Sequence, residues 1–473
     1  MALISTSHPF PVLPLDVFIV IMDALASDPN TLPFVKLQTL ISLSATCWML
    51  VEAARKRIFR TTIIRSYIRR PTWMPLDDLP SISFETMAMV LQRNPSIAKS
   101  VRILNCQLHY VNFKDVWIGN ILRQFTRLQS LNLMAHERFL FGVHDRLEQD
   151  SDEDDLIYGI EEQFINWRHM PPALQDALRS LMHLPGLTTL ELGKVVNFPI
   201  KALESLHDLH TLYLNRCRFS RPFTQFCPVP SCYRQPESVQ LQVLRIVPGA
   251  SSNAERLKCS HLGTPILDIS QIRELSFTFT TEFDIAQLEE LLVGLLRLET
   301  LTLIFRGPVE DRSPDDETFG ATLQLETQAQ YCMDNLRTLR IQHDVLENSY
   351  LLDSLLDSVS SFDALQEVEI YLKVYPDMTG ELASDLGHLA EDLSVPSRFP
   401  VLESVSISIC LDDDGESSDS SEEDEEKEDR EEDKAEIRSV WQNLQTTELA
   451  ALFELETVRL SYSVKDIDGN TIV

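Results

Sequence analysis

The pattern apolar-x-x-apolar-x-apolar returns eleven times along this chain, and no other feature constrains its fold as tightly. It reads "AKSVRI" (98–103), "LQSLNL" (128–133), "LTTLEL" (187–192), "LHTLYL" (209–214), "LQVLRI" (241–246), "IRELSF" (272–277), "LETLTL" (298–303), "LRTLRI" (336–341), "LQEVEI" (365–370), "LESVSI" (402–407) and "LETVRL" (455–460). Successive starts lie 30, 59, 22, 32, 31, 26, 38, 29, 37 and 53 residues apart, so most cluster near thirty. Each copy closes in the two-residue alternation of a strand. Helical periods precede several of them, in "PPALQDALRSLMHL", "DIAQLEELLVGLL", "SYLLDSLLDSV" and "QNLQTTELAALFEL". Strand and helix in steady alternation predict parallel strands joined by right-handed crossovers, an α/β array over 98–473.

Alternation also assigns the faces. In "LETLTL", Leu301 and Leu303 point to the core while Thr300, Thr302 and Ile304 line the open side of the sheet. The same frame opens Thr211, Tyr213, Arg245, Arg340, Glu367, Glu369 and Tyr371, a mixture that suits a protein partner better than a phosphate backbone. The array resembles the leucine-rich repeat, whose consensus continues past the strand to Asn or Cys and then a leucine-like residue. "VRILNCQL", "LYLNRCRF" and "VSISIC" put Cys106, Cys217 and Cys410 at that place. The other copies lack this residue and the period exceeds the family's, so the resemblance implies an irregular right-handed solenoid with a parallel sheet.

Charge is distributed unevenly over a chain whose formal net charge is −31. Residues 412–433 hold fifteen acids against Lys427 and Arg430, and residues 145–162 hold nine against Arg146. These runs occupy the two longest spacings, 59 and 53, and read as insertions in the array. Ser420 and Ser421 have Glu423 and Asp424 three residues on, the setting an acidophilic kinase prefers, so both are candidate phosphorylation sites. Residues 1–70 differ in sign, with eight cations against four acids.

That first segment reads as short helices. Leu13-Pro14 opens one of about 14–25, with Asp16 in its first turn and Val17, Ile21 and Leu25 every four residues. A second is read through Leu40, Leu43, Cys47, Leu50 and Ala54 on to Ile58 and Phe59. About seventy residues of this kind bury little alone, so part of the apolar stripe is expected to meet a partner or the next domain. "LPLDVFIVIMDAL" followed by "LISLSATCWMLVEAARKRIFRTTI" resembles the F-box, the three-helix module that docks substrate receptors on the Skp-type adaptor of cullin–RING ubiquitin ligases. The match spans about 50 of 473 residues and departs from the family's usual aromatic near position 50, where Leu50 stands with Trp48 two residues earlier. It implies an adaptor face made by Leu13, Pro14, Val17, Ile21, Leu25, Leu40, Leu43, Cys47, Leu50, Ile58 and Phe59. Family adaptors are acidic, so a cationic module on an acidic body would be steered toward them.

Residues 71–97 then read as a linker or capping helix between this module, 1–70, and the array. No phosphate loop, dinucleotide fingerprint, zinc-protease helix or nucleophile elbow occurs, and the eleven histidines show no ligand spacing. Cys227, Cys232, Cys259 and His261 are spaced wrongly for a zinc knuckle. No metal, cofactor or catalytic residue is expected, nor nucleic-acid binding, since the array lacks a basic face. The first cation is Lys36, and no uncharged apolar run reaches spanning length, so a cytoplasmic or nuclear protein with no membrane contact is expected. The reading is a non-catalytic receptor that docks on the adaptor, and through it a cullin, and offers an unknown substrate protein on its array. The alternative is an acidic repeat protein that binds or chaperones basic proteins such as histones.

Overall fold

The computed structural model describes residues 15–28, 31–65, 81–109, 113–135, 164–204, 206–220, 238–248, 257, 260–261, 264–279, 283–306, 333–343, 356, 362–374, 379–411, 449, 452 and 458–465. They form a mixed α/β structure with eight α-helices and extensive parallel strand pairing. The chain divides into two compact units, Met1–Leu209 with Ser220–Phe223 and His210–Phe219 with Thr224–Val473.

The first unit begins with three helices, α1 (Leu15–Ser27), α2 (Pro33–Thr46) and α3 (Trp48–Ile58). The helix expected to run through 40–59 is broken at Cys47, whose backbone is extended at φ −151° and ψ 128°. Met22, Leu40, Leu50 and Ala54 are buried together, with Phe18, Ile19, Leu25, Leu43, Cys47, Ala53 and Ile58 packed around them. Arg57 ties α3 to α1: its guanidinium reaches Asp23 Oδ1 at 2.6 Å and donates to the carbonyls of Ala53 (2.8 Å) and Ile19 (3.3 Å). These carbonyl bonds add geometry to an ion pair whose acid is largely in water.

After α3 the chain enters β1 (Thr61–Arg65), a strand the helical reading did not foresee. Its run Thr61-Thr62-Ile63-Ile64 is β-branched throughout, which favours a pleated surface over a further helical turn. β1 pairs in parallel with β2 (Ser81–Ser83) and with β3 (Ile103–Leu108); β4 (Ser130–Ala135) and β5 (Thr189–Gly193) continue the ladder. The strands therefore begin ahead of residue 98. α4 (Phe84–Arg93), capped by Ser83 Oγ accepting from Thr86 N at 3.1 Å, lies within the span read as a linker or capping helix. α5 (Val116–Leu122) and α6 (Pro172–Met182) occupy later connections, α6 where the sequence placed it.

The second unit carries β6 (Thr211–Asn215), β7 (Val243–Val247), β8 (Glu274–Phe279), β9 (Thr300–Phe305), β10 (Thr338–His343), β11 (Glu367–Val374), β12 (Ser404–Leu411) and β13 (Arg459–Lys465). All pair in parallel and in chain order. α7 (Phe283–Leu292) precedes β9 as expected, and α8 (Thr379–Leu393) precedes β12. The expected helices in 349–359 and 442–455 lie outside the described residues, apart from Leu356, Leu449 and Leu452.

One hydrogen-bond device recurs at the start of the strands. The carbonyl of the residue before a strand accepts two N–H groups, from the last connecting residue and the first residue of the following strand, at 2.7–3.1 Å. It occurs on Arg60, Arg102 and Gln129 in the first unit and on His210, Gln242, Arg273, Glu299, Arg337 and Gln366 in the second. All but Arg60 are the second residue of a buried-x-x-buried step such as Leu298–Leu301, so the sequence repeat is also a repeat of backbone bonding. Inward residues stack in rows, Leu275–Leu301–Leu339–Val368–Val405 being one, and at the far end Phe279, Phe305 and His343 stack face to face with centroids 4.7 and 5.3 Å apart.

Two copies sit in a different frame from the one the pattern suggested. Leu104 and Cys106 face Leu131 and Leu133, so the first copy in structural terms is "VRILNC" rather than "AKSVRI". Leu460, not Val458, faces Val405, so the last copy is displaced by two residues; a shift of two preserves which side chains face the core. The frames also correct two cysteines. Cys106 is a buried member of a strand, and Cys410 lies on the polar side of β12 in line with Ser404, Ser406 and Ser408. Cys217 alone follows its strand as the repeat resemblance implies, fully buried after left-handed Arg216 (φ 51°), with Sγ 3.6 Å from the Asn215 carbonyl.

Candidate docking surfaces

The segment Leu15–Met49 exposes more large apolar side chains than the rest of the described residues together. Fifteen large apolar side chains are exposed among the described residues, and ten of them fall between Leu15 and Met49. Val17, Val20 and Ile21 share one side of α1, Phe34 and Ile41, seven residues apart, share a side of α2, and Trp48 opens α3. Trp48 is 83% exposed, Val20 65% and Phe34 64%. So many exposed apolar side chains on a small helical unit are a mark of a protein interface.

The sequence-predicted adaptor face divides between this surface and the core beneath it. Val17 and Ile21 are exposed. Leu40 and Leu50 are 4% and 3% exposed and hold the helices together, so they cannot meet a partner; Leu25, Leu43, Cys47 and Ile58 pack against them. Phe59 is half-buried as the C-cap of α3, and Leu13 and Pro14 lie outside the described residues. Val20, Phe34, Ile41, Trp48 and Met49 were not singled out, because the reading followed a single apolar stripe, and that stripe turns inward. Arg55, Lys56 and Arg60, at and just after the end of α3, are exposed, whereas Arg57 is committed to Asp23.

The open side of the second unit's ladder is the other candidate. All ten sequence-predicted residues, Thr211, Tyr213, Arg245, Thr300, Thr302, Ile304, Arg340, Glu367, Glu369 and Tyr371, sit opposite the buried rows and are exposed or half-buried. One row runs Tyr213–Arg245–Ser276–Thr302–Arg340–Glu369–Ser406–Ser461. Arg340 grips Glu369 through two bonds, Nε to Oε2 at 2.6 Å and a terminal nitrogen to Oε1 at 3.2 Å. That hydrogen bond raises the guanidinium's affinity for its proton, burial works weakly against it, and Glu369, Glu367 and Glu274 add attraction. Hydroxyls dominate the rest: Ser461 Oγ donates to Ser406 Oγ at 2.8 Å, and Ser408 and Ser463 oxygens lie 3.3 Å apart.

On the first unit's ladder the same frame places Ile63, Asn105, Asn132 and Glu191 in one row. Asn132 Nδ2 donates to Glu191 Oε2 at 2.6 Å. Asn132 Oδ1 is buried and meets no donor among the described residues. The alternation rule would have named these residues had it been applied to "LQSLNL" and "LTTLEL" as it was to later copies.

Ser420 and Ser421 and both acidic insertions lie outside the described residues, as do Cys227, Cys232 and Cys259. Among the described residues no group of three His, Cys, Asp or Glu side chains is placed to hold a metal ion, and no helix is long and apolar enough to cross a membrane. No family model matches the chain, and no curated protein matches it.

Proposed function

We propose that the chain is the substrate-recognition subunit of a cullin–RING ubiquitin ligase. In this reading its N-terminal helices are an F-box-like module that docks on a Skp-type adaptor, and its strand array is an irregular leucine-rich-repeat-like solenoid that holds the substrate protein. The supporting observation is the set of ten exposed apolar side chains between Leu15 and Met49 on helices that already have a closed core of their own. Apolar surface on so small a unit is costly unless covered. Exposed Arg55, Lys56 and Arg60 on the same helical unit suit an acidic adaptor. The receptor carries out no chemistry here; it would contribute to ubiquitin transfer by positioning, in the cytoplasm or nucleus.

The test is capture of the full chain by recombinant Skp-type adaptor, with Val20→Asp and Ile21→Asp as variants. Both positions are exposed, so the folded state should tolerate them, while a carboxylate in an apolar contact should abolish capture. No capture of the parent chain, together with tight, salt-sensitive binding of core histones that vanishes on deletion of 412–433, would establish the acidic-chaperone alternative instead.

A further inference from the structure

We infer that the strand-start rim of the first unit, made by Arg60, Lys99, Arg102 and Arg127, is a docking surface for an acidic segment, a run of aspartate and glutamate, in the protein held on the array. The inference rests on the receptor reading and names a chemical class for its substrate. Residues 55–129 hold thirteen cations against four acids, in a chain whose formal net charge is −31. Backbone bonding gathers part of that positive charge in one place. Arg102 N donates to the Arg60 carbonyl at 2.9 Å, and a terminal nitrogen of the Arg102 guanidinium donates to the carbonyls of Arg127 at 2.9 Å and Lys99 at 3.4 Å. These contacts orient the guanidinium without neutralising it, because a carbonyl carries no net charge. None of the four side chains meets a carboxylate among the described residues, and Arg60, Lys99 and Arg127 are exposed.

The charge is not a by-product of the repeat. At the carbonyl-bearing strand starts of the second unit the chain reads Gln242, Arg273, Glu299, Arg337 and Gln366, and Arg273 meets Glu299 at 3.4 Å. Opposite signs offset one another there, whereas the first unit's rim holds neighbouring like charges that an arriving anion would relieve. Carboxylates only accept hydrogen bonds and match the fork of a guanidinium with both oxygens. The first open-side row, Thr61, Ile103, Ser130 and Thr189, follows the rim directly, so a protein lying on this ladder reaches it. A nucleic-acid strand fits less well. Such strands are held by aromatic rings that stack on bases beside the cations, and the exposed large apolar side chains described between 55 and 129 are Met89 and Val116.

The test uses the full chain, a short fluorescein-labelled peptide of alternating glutamate and serine, and its counterpart of alternating glutamine and serine. At about 0.15 M salt the Debye length is roughly 8 Å, so only nearby charges are read. The glutamate peptide should bind at least about tenfold more tightly, the scale of one charge-assisted hydrogen bond. The double variant Lys99→Gln with Arg127→Gln, whose side chains are exposed and take no part in the adaptor reading, should lose about tenfold with an unchanged thermal melt. Arg297→Gln with Arg337→Gln makes the same change in net charge at exposed positions of the second unit and should stay within about twofold of the parent. Equal binding of the two peptides, absence of binding up to millimolar concentration, or equal losses in the two double variants would each overturn the docking surface. Oligothymidine that binds more tightly than the glutamate peptide and is released by the Lys99 and Arg127 changes would assign the rim to nucleic acid and overturn it as well. Adaptor capture is measured on the same proteins. If the parent is captured while the peptide preference is absent, the rim fails alone; if the parent shows the preference but is not captured, the receptor reading fails.

Discussion

Replacing Trp48 by alanine should weaken adaptor docking about fifty-fold while leaving the fold unchanged. A tryptophan presents on the order of 250 Å² when extended. At 83% exposure Trp48 keeps about 200 Å² in water. A partner that covers half of that surface gains about 2.5 kcal/mol at ~25 cal/mol per Å². That energy corresponds to a Kd change of about fifty-fold once the small contribution of alanine is allowed for. Because so little of the indole is packed, its removal opens no cavity. Leu50, two residues on and 3% exposed, provides the contrast: Leu50→Ala should cost about 2–5 kcal/mol of folding free energy and should affect docking only through the fraction folded. The assay is calorimetric titration of each variant with Skp-type adaptor beside its thermal melt. Binding of Trp48→Ala within twofold of the parent would refute the argument that exposed apolar area marks the docking surface.

Two predictions concern the array. Phe305→Ala removes the middle ring of the Phe279–Phe305–His343 stack and should cost about 3–5 kcal/mol by cavity formation, with about 1 kcal/mol of stacking included; a lowered melting transition with adaptor capture intact is the expected result. Burial pushes the Cys106 thiol up to about 12 from an ordinary value of 9.0. The raised value means this residue's contribution is complete below pH 9.0 and is lost as pH climbs toward 12, at up to about 1.4 kcal/mol per pH unit. Denaturant midpoints between pH 8 and 11 should therefore fall less steeply for Cys106→Val than for the parent.

Alternation was legible in the sequence because a strand's side chains change face at every step, so the buried and open rows of the second unit followed from six-letter copies. Frame was legible only where the flanking residues excluded other choices. In "AKSVRILNC" the steps Ala98–Val101–Ile103 and Val101–Leu104–Cys106 both satisfy the pattern, and the paired strand at 130–135 selects the second. At the end, Val458, Leu460, Tyr462 and Val464 offer several equivalent frames, and pairing along 404–411 selects the one that gives the longer ladder. The break at Cys47 was hidden because Leu43, Cys47 and Leu50 keep helical spacing across it. The exposed apolar side chains of the N-terminal helices were half-hidden for a related reason: periodicity identifies a stripe but does not say whether the stripe faces a neighbouring helix or solvent.

The doubled hydrogen bond that recurs at strand starts has a consequence for how such a chain can change over generations. Across connections of different length the returning backbone is re-indexed on the same carbonyl of its neighbour, at Glu299 after one connection and Arg337 after the next. A length change between copies is thus corrected at the following strand and is not passed down the array. The segments between such strands can lengthen, shorten or change charge independently, since the chain returns to the Gln129 carbonyl after the connection that holds the acidic run at 145–162, and the buried rows keep their pairing. The connections become separate sites of innovation on an inherited frame.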